Sequence, residues 1–483
     1  MHRSILFLLS TLFLASCAIG PDYLKPAVDT PSAWRLDYQA AAGLADLPWW
    51  EGFGDPALNQ LIAEALKENK DLKIAAARVD QYLGALETTR SQFFPQFGGS
   101  LSAVRQKDTE TGGRPWPSGL NSTYNTYQGY LNMSWEIDIW GRIRRASEAA
   151  QAQTLASEEG RRAVILSLAT SVANGYLSLR ALDRQLEIAR ETEKAYAETL
   201  RLFNLRYTHG TISRLELSQI ESQYESARQA VPQYQLLVSQ QENLLSNLIG
   251  RNPGPIPRGL TIDQIKPVGI PEGLPSQLLE RRPDVLQAEQ NLVAANARIG
   301  VAKALYFPVI SLTGLLGTSS ADLNKLFEAP SAIWNIGASA AGSIFTFGGI
   351  SGQVKQAEAI QQQALYQYLQ TVQTAFREVD DALAGTIKGR ERLSAQGRQV
   401  EALKNYARLA RLQYEGGTAN YFQVLDADRT LFNAQLTYVD TQSNILTSLI
   451  NVYKAMGGGW VNKVDNLAFG GSPDPEKQTQ KNR

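Results

Sequence analysis

Residues 141–211 read GRIRRASEAAQAQTLASEEGRRAVILSLATSVANGYLSLRALDRQLEIARETEKAYAETLRLFNLRYTHGT, and this stretch decides the fold. It contains no proline, the strongest helix breaker, and it is rich in Ala, Leu, Gln, Glu and Arg, which are good helix formers. We therefore predict one long helix over residues 141–206. At about 1.5 Å per residue, such a helix spans on the order of 100 Å. No compact domain needs a helix of that length, so the sequence predicts an elongated molecule.

This stretch belongs to a unit that occurs twice in the chain. Residues 141–250 align without a gap with residues 348–457, at a constant offset of 207. Gly210 is thereby aligned with Gly417. The second copy is also free of proline, and it predicts a matching long helix over residues 348–413. The chain therefore consists largely of two similar halves.

Shorter helices accompany each long one. We predict short helices over about 56–93 and 276–306, and returning helices over about 213–249 and 420–456. The polar residues from about 461 onward are expected to be poorly ordered. In chain order, the predicted regions are a signal peptide (1–16), a lipidated N-terminal extension (17–55), a first repeat (56–250), an inter-repeat linker (251–275), a second repeat (276–457) and a polar C-terminal tail (458–483).

Each long helix ends in a short polar turn. The two turns are Thr208-His209-Gly210-Thr211 and Glu415-Gly416-Gly417-Thr418. Glycine suits the left-handed conformation just past the C-terminus of a helix. Ser213 and Asn420 follow the turns and can cap the returning helices. The sequence therefore predicts two helical hairpins with matched tips.

Segments of strand character lie between the short and the long helices. Apolar and polar residues alternate over 131–139 and again over 334–340, which is the pattern of a strand with one apolar face. Partner strands are expected near 97–105 and 309–317. The edge of a soluble β-sandwich would show the same alternation. Closed transmembrane barrels begin at about eight strands, so a chain with four strands predicts a barrel shared by several chains.

The N-terminus predicts export and lipidation. Arg3 is followed by an apolar run from Ile5 to Ala15 that is too short to span a bilayer, as in a secretory signal peptide. Leu14-Ala15-Ser16-Cys17 resembles the bacterial lipobox, in which the cysteine becomes the acylated first residue. The alternative is a signal peptide with an incidental cysteine. The residue after Cys17 is Ala18 rather than Asp, which by resemblance to bacterial lipoproteins implies sorting to the outer membrane.

Composition excludes several classes of function. The chain has 47 basic and 47 acidic residues, so no net charge favours nucleic acid. His2, His209 and Cys17 are its only histidines and cysteine, which argues against a histidine-based active site, a metal centre or a disulfide framework. No phosphate-binding glycine loop of the Walker pattern occurs, so any energy source lies elsewhere. We predict no enzymatic activity and no cofactor besides a covalent lipid on Cys17.

Several separated motifs resemble one known family, the TolC-like outer-membrane efflux proteins in their lipoprotein, or NodT-type, branch. The resemblance covers about residues 20–460. Its motifs are WWEGFGDPAL (49–58), ERRPDV (280–285), ALYFP (304–308), LDADR (425–429) and MGGGW (456–460).

This resemblance implies a fold class and a function. The fold would be an α+β membrane protein: a homotrimeric transmembrane β-barrel with four strands per chain, continued by a long periplasmic α-helical barrel. The function would be the outer-membrane channel of a tripartite efflux system. Such a channel conducts substrates passively from the periplasm to the exterior. A periplasmic membrane-fusion adaptor and a separate inner-membrane pump would be its partners.

The resemblance also assigns candidate site residues. Gly210, Thr211, Gly417 and Thr418 would form the tips that contact the adaptor, although these residues also simply close the hairpins. Phe422, Asp426 and Arg429 would line a gate. Their spacing places all three on one helical face.

Two readings of this face remain open. A ring of Phe422 side chains with charged pairs between chains would close the bore, or Asp426 and Arg429 would form an ordinary exposed ion pair worth under about 1 kcal/mol. The corresponding first-copy residues, Leu215, Gln219 and Ser222, carry no charge.

Two other classes of function compete with the channel. A lipoprotein with a coiled-coil scaffolding role would share the long helices but not the aromatic-rich strands. A lipid-anchored hydrolase would need a nucleophile and a base that the sequence does not offer. For cargo, three Met and two His mildly disfavour copper or silver export. Drugs, solvents, dyes and secreted polypeptides all remain open.

Overall fold

The computed structural model describes residues 18–36, 40–41, 48–111, 121–271, 275–458 and 460–469. The signal peptide and Cys17 lie outside the described residues. The chain divides into two compact units, each made of three segments. The first unit comprises Met1–Ala27, Val79–Ser157 and Ala288–Tyr368, and the second comprises Val28–Arg78, Glu158–Gln287 and Leu369–Arg483.

Helices make up most of the described chain. Both predicted long helices are confirmed, and each has 67 residues. None of the described helices is long and apolar enough to cross a membrane. The helices are α1 (Pro56–Glu68), α2 (Lys70–Ser91), α3 (Arg142–Thr208), α4 (Arg214–Leu248), α5 (Leu278–Arg281), α6 (Pro283–Ala304), α7 (Gly349–Glu415), α8 (Tyr421–Ala455) and α9 (Trp460–Phe469).

Four antiparallel strands of the first unit form one sheet in the order β1-β2-β3-β4. The strands are β1 (Gln96–Lys107), β2 (Thr123–Ile137), β3 (Val309–Ser320) and β4 (Ala332–Ala341). All four predicted strands are therefore present. β2 begins eight residues before the predicted strand at 131, and the added residues pair along most of β1. A Cβ on Gly317 would come within 2.3 Å of the backbone oxygen of Gly129, so this close strand contact requires glycine.

The prediction of unbroken short helices is wrong in both copies. Asn69 is extended, with ψ of 136°, and separates α1 from α2. Its side chain caps α2 by accepting from the Leu72 N–H (3.0 Å), and it donates to the carbonyl of Leu248 (2.8 Å). In the second copy Arg282 is extended because Pro283 follows it, which ends α5 and begins α6.

The expectation of a disordered tail is wrong for its first part. Residues Trp460–Phe469 form α9, and Trp460 is buried with its ring 4.6 Å from that of Trp50. Asp465 is also buried and accepts two hydrogen bonds from the Arg161 guanidinium, at 2.8 and 2.9 Å. A paired, buried carboxylate thus holds α9 on α3 within the second unit.

Candidate gate and docking tips

The two predicted tips have the same backbone structure. Gly210 and Gly417 adopt left-handed φ angles of +70° and +71°. The Thr211 N–H donates to the carbonyl of Arg206 (2.9 Å), and the Thr418 N–H donates to that of Gln413 (2.9 Å). These bonds satisfy carbonyls that the helix ends leave free. A side chain on either glycine would meet nothing within 4 Å, so both tips face open space.

Capping residues then start the returning helices. Ser213 accepts from the Glu216 N–H (3.2 Å), and the Glu216 carboxylate accepts from the Ser213 N–H (2.9 Å), which completes a capping box. Asn420 caps α8 by accepting from the Gln423 N–H (3.3 Å). Both capping predictions are confirmed.

The three predicted gate residues share one face of α8. Phe422 is 61% exposed although it is a large apolar residue. The Arg429 guanidinium donates to the Asp426 carboxylate at 3.0 Å, and both side chains are substantially exposed. Within one chain, the charged pair is therefore an intrahelical contact open to solvent.

The structure brings the gate face together with its counterpart in the first copy. One cavity of about 420 Å³ is lined by Phe422, Asp426 and Arg429 of α8. Leu215, Gln219 and Ser222 of α4 line the same cavity. Each pair of equivalent residues differs by 207 in number, for example 422 − 215 = 207, so the repeat itself generates the cavity. The charged side chains that line the cavity, Asp426 and Arg429, come from the second copy.

An aromatic cluster supports the two hairpins behind this cavity. Phe203 and Tyr421 lie with ring centroids 4.3 Å apart, and Tyr414 and Tyr421 with centroids 5.0 Å apart. Phe203 and Tyr421 are buried among apolar residues of α3, α4, α7 and α8. Both hairpins therefore share one small core near their tips.

Sequence reasoning missed three polar residues beside this core. Tyr196 is buried, Asp428 is partly buried, and Arg411 donates to Asp428 at 3.1 Å. In the sequence, Asp428 stands out only as a member of the LDADR motif. The available signal was its position, since a residue two places from Asp426 on a helix points to a different face.

The segment that directly follows Cys17 is hydrogen-bonded to the other segments of the first unit. The buried guanidinium of Arg145 donates to Asp22 at 2.6 Å, and Lys25 donates to Glu289 at 2.8 Å. Asn296 donates to the carbonyl of Pro21 at 2.9 Å. Residues 18–25 are therefore held in place and do not form a loose tether.

The sequence also matches a known family over both of its halves. The profile of the family described as "Outer membrane efflux protein" matches residues 61–251 and 274–458. The chain belongs to this family.

Relatives in the family agree along nearly the whole chain. The toluene efflux pump outer membrane protein TtgC of Pseudomonas putida is 36% identical over 468 residues, or 95% of this chain and 96% of TtgC. The probable outer membrane lipoprotein SilC of Salmonella typhimurium is 35% identical, over 95% of this chain and 100% of SilC. The crystal structure of the CmeC outer membrane channel of Campylobacter jejuni superposes with a TM-score of 0.86 at 27% identity, covering 96% and 98% of the two chains.

These comparisons confirm the family and the fold class predicted from the sequence. The chain has the α+β fold of the trimeric outer-membrane efflux channels, and its described residues include a four-stranded antiparallel sheet and two long helical hairpins. It is an outer-membrane channel of an efflux system and not an enzyme.

Adjacent residues of α8 provide a test of the shared core. Tyr421 is 4% exposed, whereas Phe422 is 61% exposed. We expect Tyr421→Ala to lower the free energy of unfolding by about 3–5 kcal/mol, because it leaves a cavity among aromatic rings. Phe422→Ala should cost within about 0.5 kcal/mol. Denaturant titration followed by circular dichroism measures both. An equal loss for the two variants would show that Phe422 is buried between chains.

Proposed function

We propose that three copies of this chain form one channel that passively conducts drugs or other small molecules out of the periplasm. A membrane-fusion adaptor docks at the hairpin tips and links the channel to an energised inner-membrane pump. Phe422, Asp426 and Arg429 close the channel at rest. The observation that carries this proposal is the single cavity lined by the gate faces of both repeats.

The edges of the sheet explain why one chain is incomplete. Among the described residues, β1 and β4 each have a neighbouring strand on one side only. Inside a bilayer an unpaired edge is costly, because no water satisfies its N–H and C=O groups. Pairing β4 of each chain with β1 of the next closes a barrel, and a barrel needs at least about eight strands. Three chains supply enough strands.

The gate rests on weak contacts that are repeated by symmetry. Alone, the exposed Asp426–Arg429 pair contributes under about 1 kcal/mol. In the trimer, Phe422 of each chain faces the bore, and Asp426 exchanges its partner for the Arg429 of a neighbouring chain. Three such latches together contribute up to about 3 kcal/mol, enough to hold a bore closed and little enough for a partner to release it.

Single-channel conductance in planar bilayers tests the gate. We expect Asp426→Ala/Arg429→Ala to raise the low conductance of the wild type. Loss of three latches shifts the ratio of closed to open channels by up to roughly a hundredfold. Glu225→Ala/Arg228→Ala is the matched control, since it removes an exposed pair with the same i,i+3 spacing elsewhere. Unchanged conductance in the gate variant would refute the gate assignment.

The tips offer a surface that an adaptor can cover. Gly210 and Gly417 carry no side chain, and nothing lies within 4 Å of the position where one would stand. Thr211 and Thr418 are exposed beside them. A close approach of another backbone to these turns is therefore unobstructed.

Resistance to organic drugs in a strain that lacks the channel tests adaptor docking. We expect Gly417→Lys to abolish complementation, because a long charged side chain blocks the tip. Gly54→Lys is the matched control: Gly54 has a φ of +68° and also has nothing within 4 Å, so the backbone strain is similar. Unimpaired resistance with Gly417→Lys would exclude adaptor contact at this tip. Equal loss in both variants would point to strain instead.

We also propose a lipid on Cys17. Support comes from the lipobox pattern and from the segment after it, which is fixed in place. Asp22 forms an ion pair with Arg145, and Lys25 forms one with Glu289. An acyl chain on the mature N-terminus would therefore leave the protein from a defined place.

Mass spectrometry of the mature protein tests the lipid. We expect loss of residues 1–16 and the added mass of acyl chains on the first residue. Cys17→Ser should lack that mass and still require detergent, because the barrel remains. An unmodified Cys17 in the wild-type protein would refute lipidation.

A further inference from the structure

A second carboxylate of α8 lies behind the gate. Asp428 follows Asp426 by two positions, so the two side chains point about 200° apart around the helix. The Asp428 side chain is 18% exposed, compared with 39% for Asp426. Asp428 thus faces the protein while Asp426 faces the cavity.

Few favourable contacts offset the cost of removing the Asp428 carboxylate from water. Among the described residues, one group donates a hydrogen bond to it, the Arg411 guanidinium at the end of α7, at 3.1 Å. That arginine side chain is 53% exposed, so solvent weakens the pair. Arg411 therefore connects α7 and α8 through a contact that is easily loosened.

The surroundings of Asp428 belong to both hairpins. Tyr196 of α3 is 5% exposed, and its hydroxyl has no hydrogen-bond partner among the described residues. Tyr421 of α8 is 4% exposed. Burial raises the pKa of both tyrosines, Asp428 raises it further, and Arg411 opposes the rise. Arg429 also opposes the rise at Tyr196. The ring of Tyr414 in α7 lies with its centroid 5.0 Å from that of Tyr421. The carboxylate thus lies where the second hairpin packs against the first.

We propose that Asp428 is a positioning residue for the gate. Its protonation determines how firmly α8 packs against α7 and the first hairpin, and hence where Phe422, Asp426 and Arg429 stand. This inference rests on the proposed gate, and it assigns to the gate a dependence on pH.

The direction of that dependence follows from the burial. Desolvation raises the pKa of Asp428 above its ordinary value, and this effect outweighs Arg411, which lowers it. The packed hairpin therefore binds the proton more tightly than a loosened, hydrated one does. Packing gains stability as the pH falls through the raised pKa, and it loses that stability as the pH rises. Acid thus favours the closed channel, with a shift of at most about tenfold per pH unit for each carboxylate.

Conductance of the full-length trimer over about pH 4 to pH 8, which spans the range of a raised carboxyl pKa, tests the proposal. Wild-type conductance should fall on acidification. Asp428→Asn is isosteric and neutral at every pH, so its conductance should be low and independent of this titration. Arg411→Ala leaves the ionised Asp428 without its cation, so conductance should rise at neutral pH and return to the wild-type value in acid.

Two further variants separate positioning from a general loss of structure. Arg411→Lys keeps the positive charge and should restore a wild-type profile. Asp428→Asn/Arg411→Ala should behave like Asp428→Asn alone, because a neutral residue 428 needs no cation. If the two side chains acted independently, the conductance of the double variant would instead combine the opposite effects of the two single substitutions.

The outcomes distinguish this inference from the gate itself. A wild-type pH profile in Asp428→Asn, or unchanged neutral conductance in Arg411→Ala, would overturn the role of Asp428. If Asp426→Asn retains the pH response while Asp428→Asn loses it, the titrating group is Asp428. If Asp426→Ala/Arg429→Ala has no effect while Asp428→Asn still removes the response, the gate residues are misassigned but Asp428 still controls the hairpin.

Discussion

Equal length of the two helical hairpins is the constraint on which this molecule depends. α3 and α7 have 67 residues each, and α4 and α8 have 35 each. Because every helical residue advances the chain by about 1.5 Å, a single insertion in one copy would shift its tip and rotate every side chain beyond it by about 100°. Leu215 would then no longer meet Phe422 across the shared cavity. The constant offset of the repeat preserves this pairing.

Within that matched backbone, the two copies have diverged in side chains rather than in geometry. Their tips have the same left-handed glycine and the same closing hydrogen bonds. The cavity-facing residues differ, since the first copy presents Gln219 and Ser222 where the second presents Asp426 and Arg429. In the proposed gate, this difference places the latch on the second hairpin alone. Release of the proposed latch would therefore act on the second hairpin.

Much of this arrangement could be read from the sequence because it depends on local, periodic signals. The absence of proline predicted the long helices, and glycine followed by Ser213 or Asn420 predicted the turns. The break at Asn69 could not be read in this way, since no Pro or Gly marks it and the bond to Leu248 that supports it joins distant parts of the chain. The same holds for α9, whose position depends on the contacts that Trp460 and Asp465 make with distant parts of the chain. The gate face was predictable from spacing, but the burial of Asp428 depends on what packs behind α8.

The buried and the exposed side of α8 make contacts of different strength. The buried side packs Tyr421 against Phe203 and Tyr414, where losing one large aromatic side chain costs about 3–5 kcal/mol. The exposed side carries an ion pair worth under about 1 kcal/mol. In the proposed trimer, a force that separates the exposed contacts between chains would leave the aromatic core of each chain intact. In the proposed gate the second hairpin would move as a unit, and Asp428, which links α8 to Arg411, is the carboxylate through which pH would act on its packing.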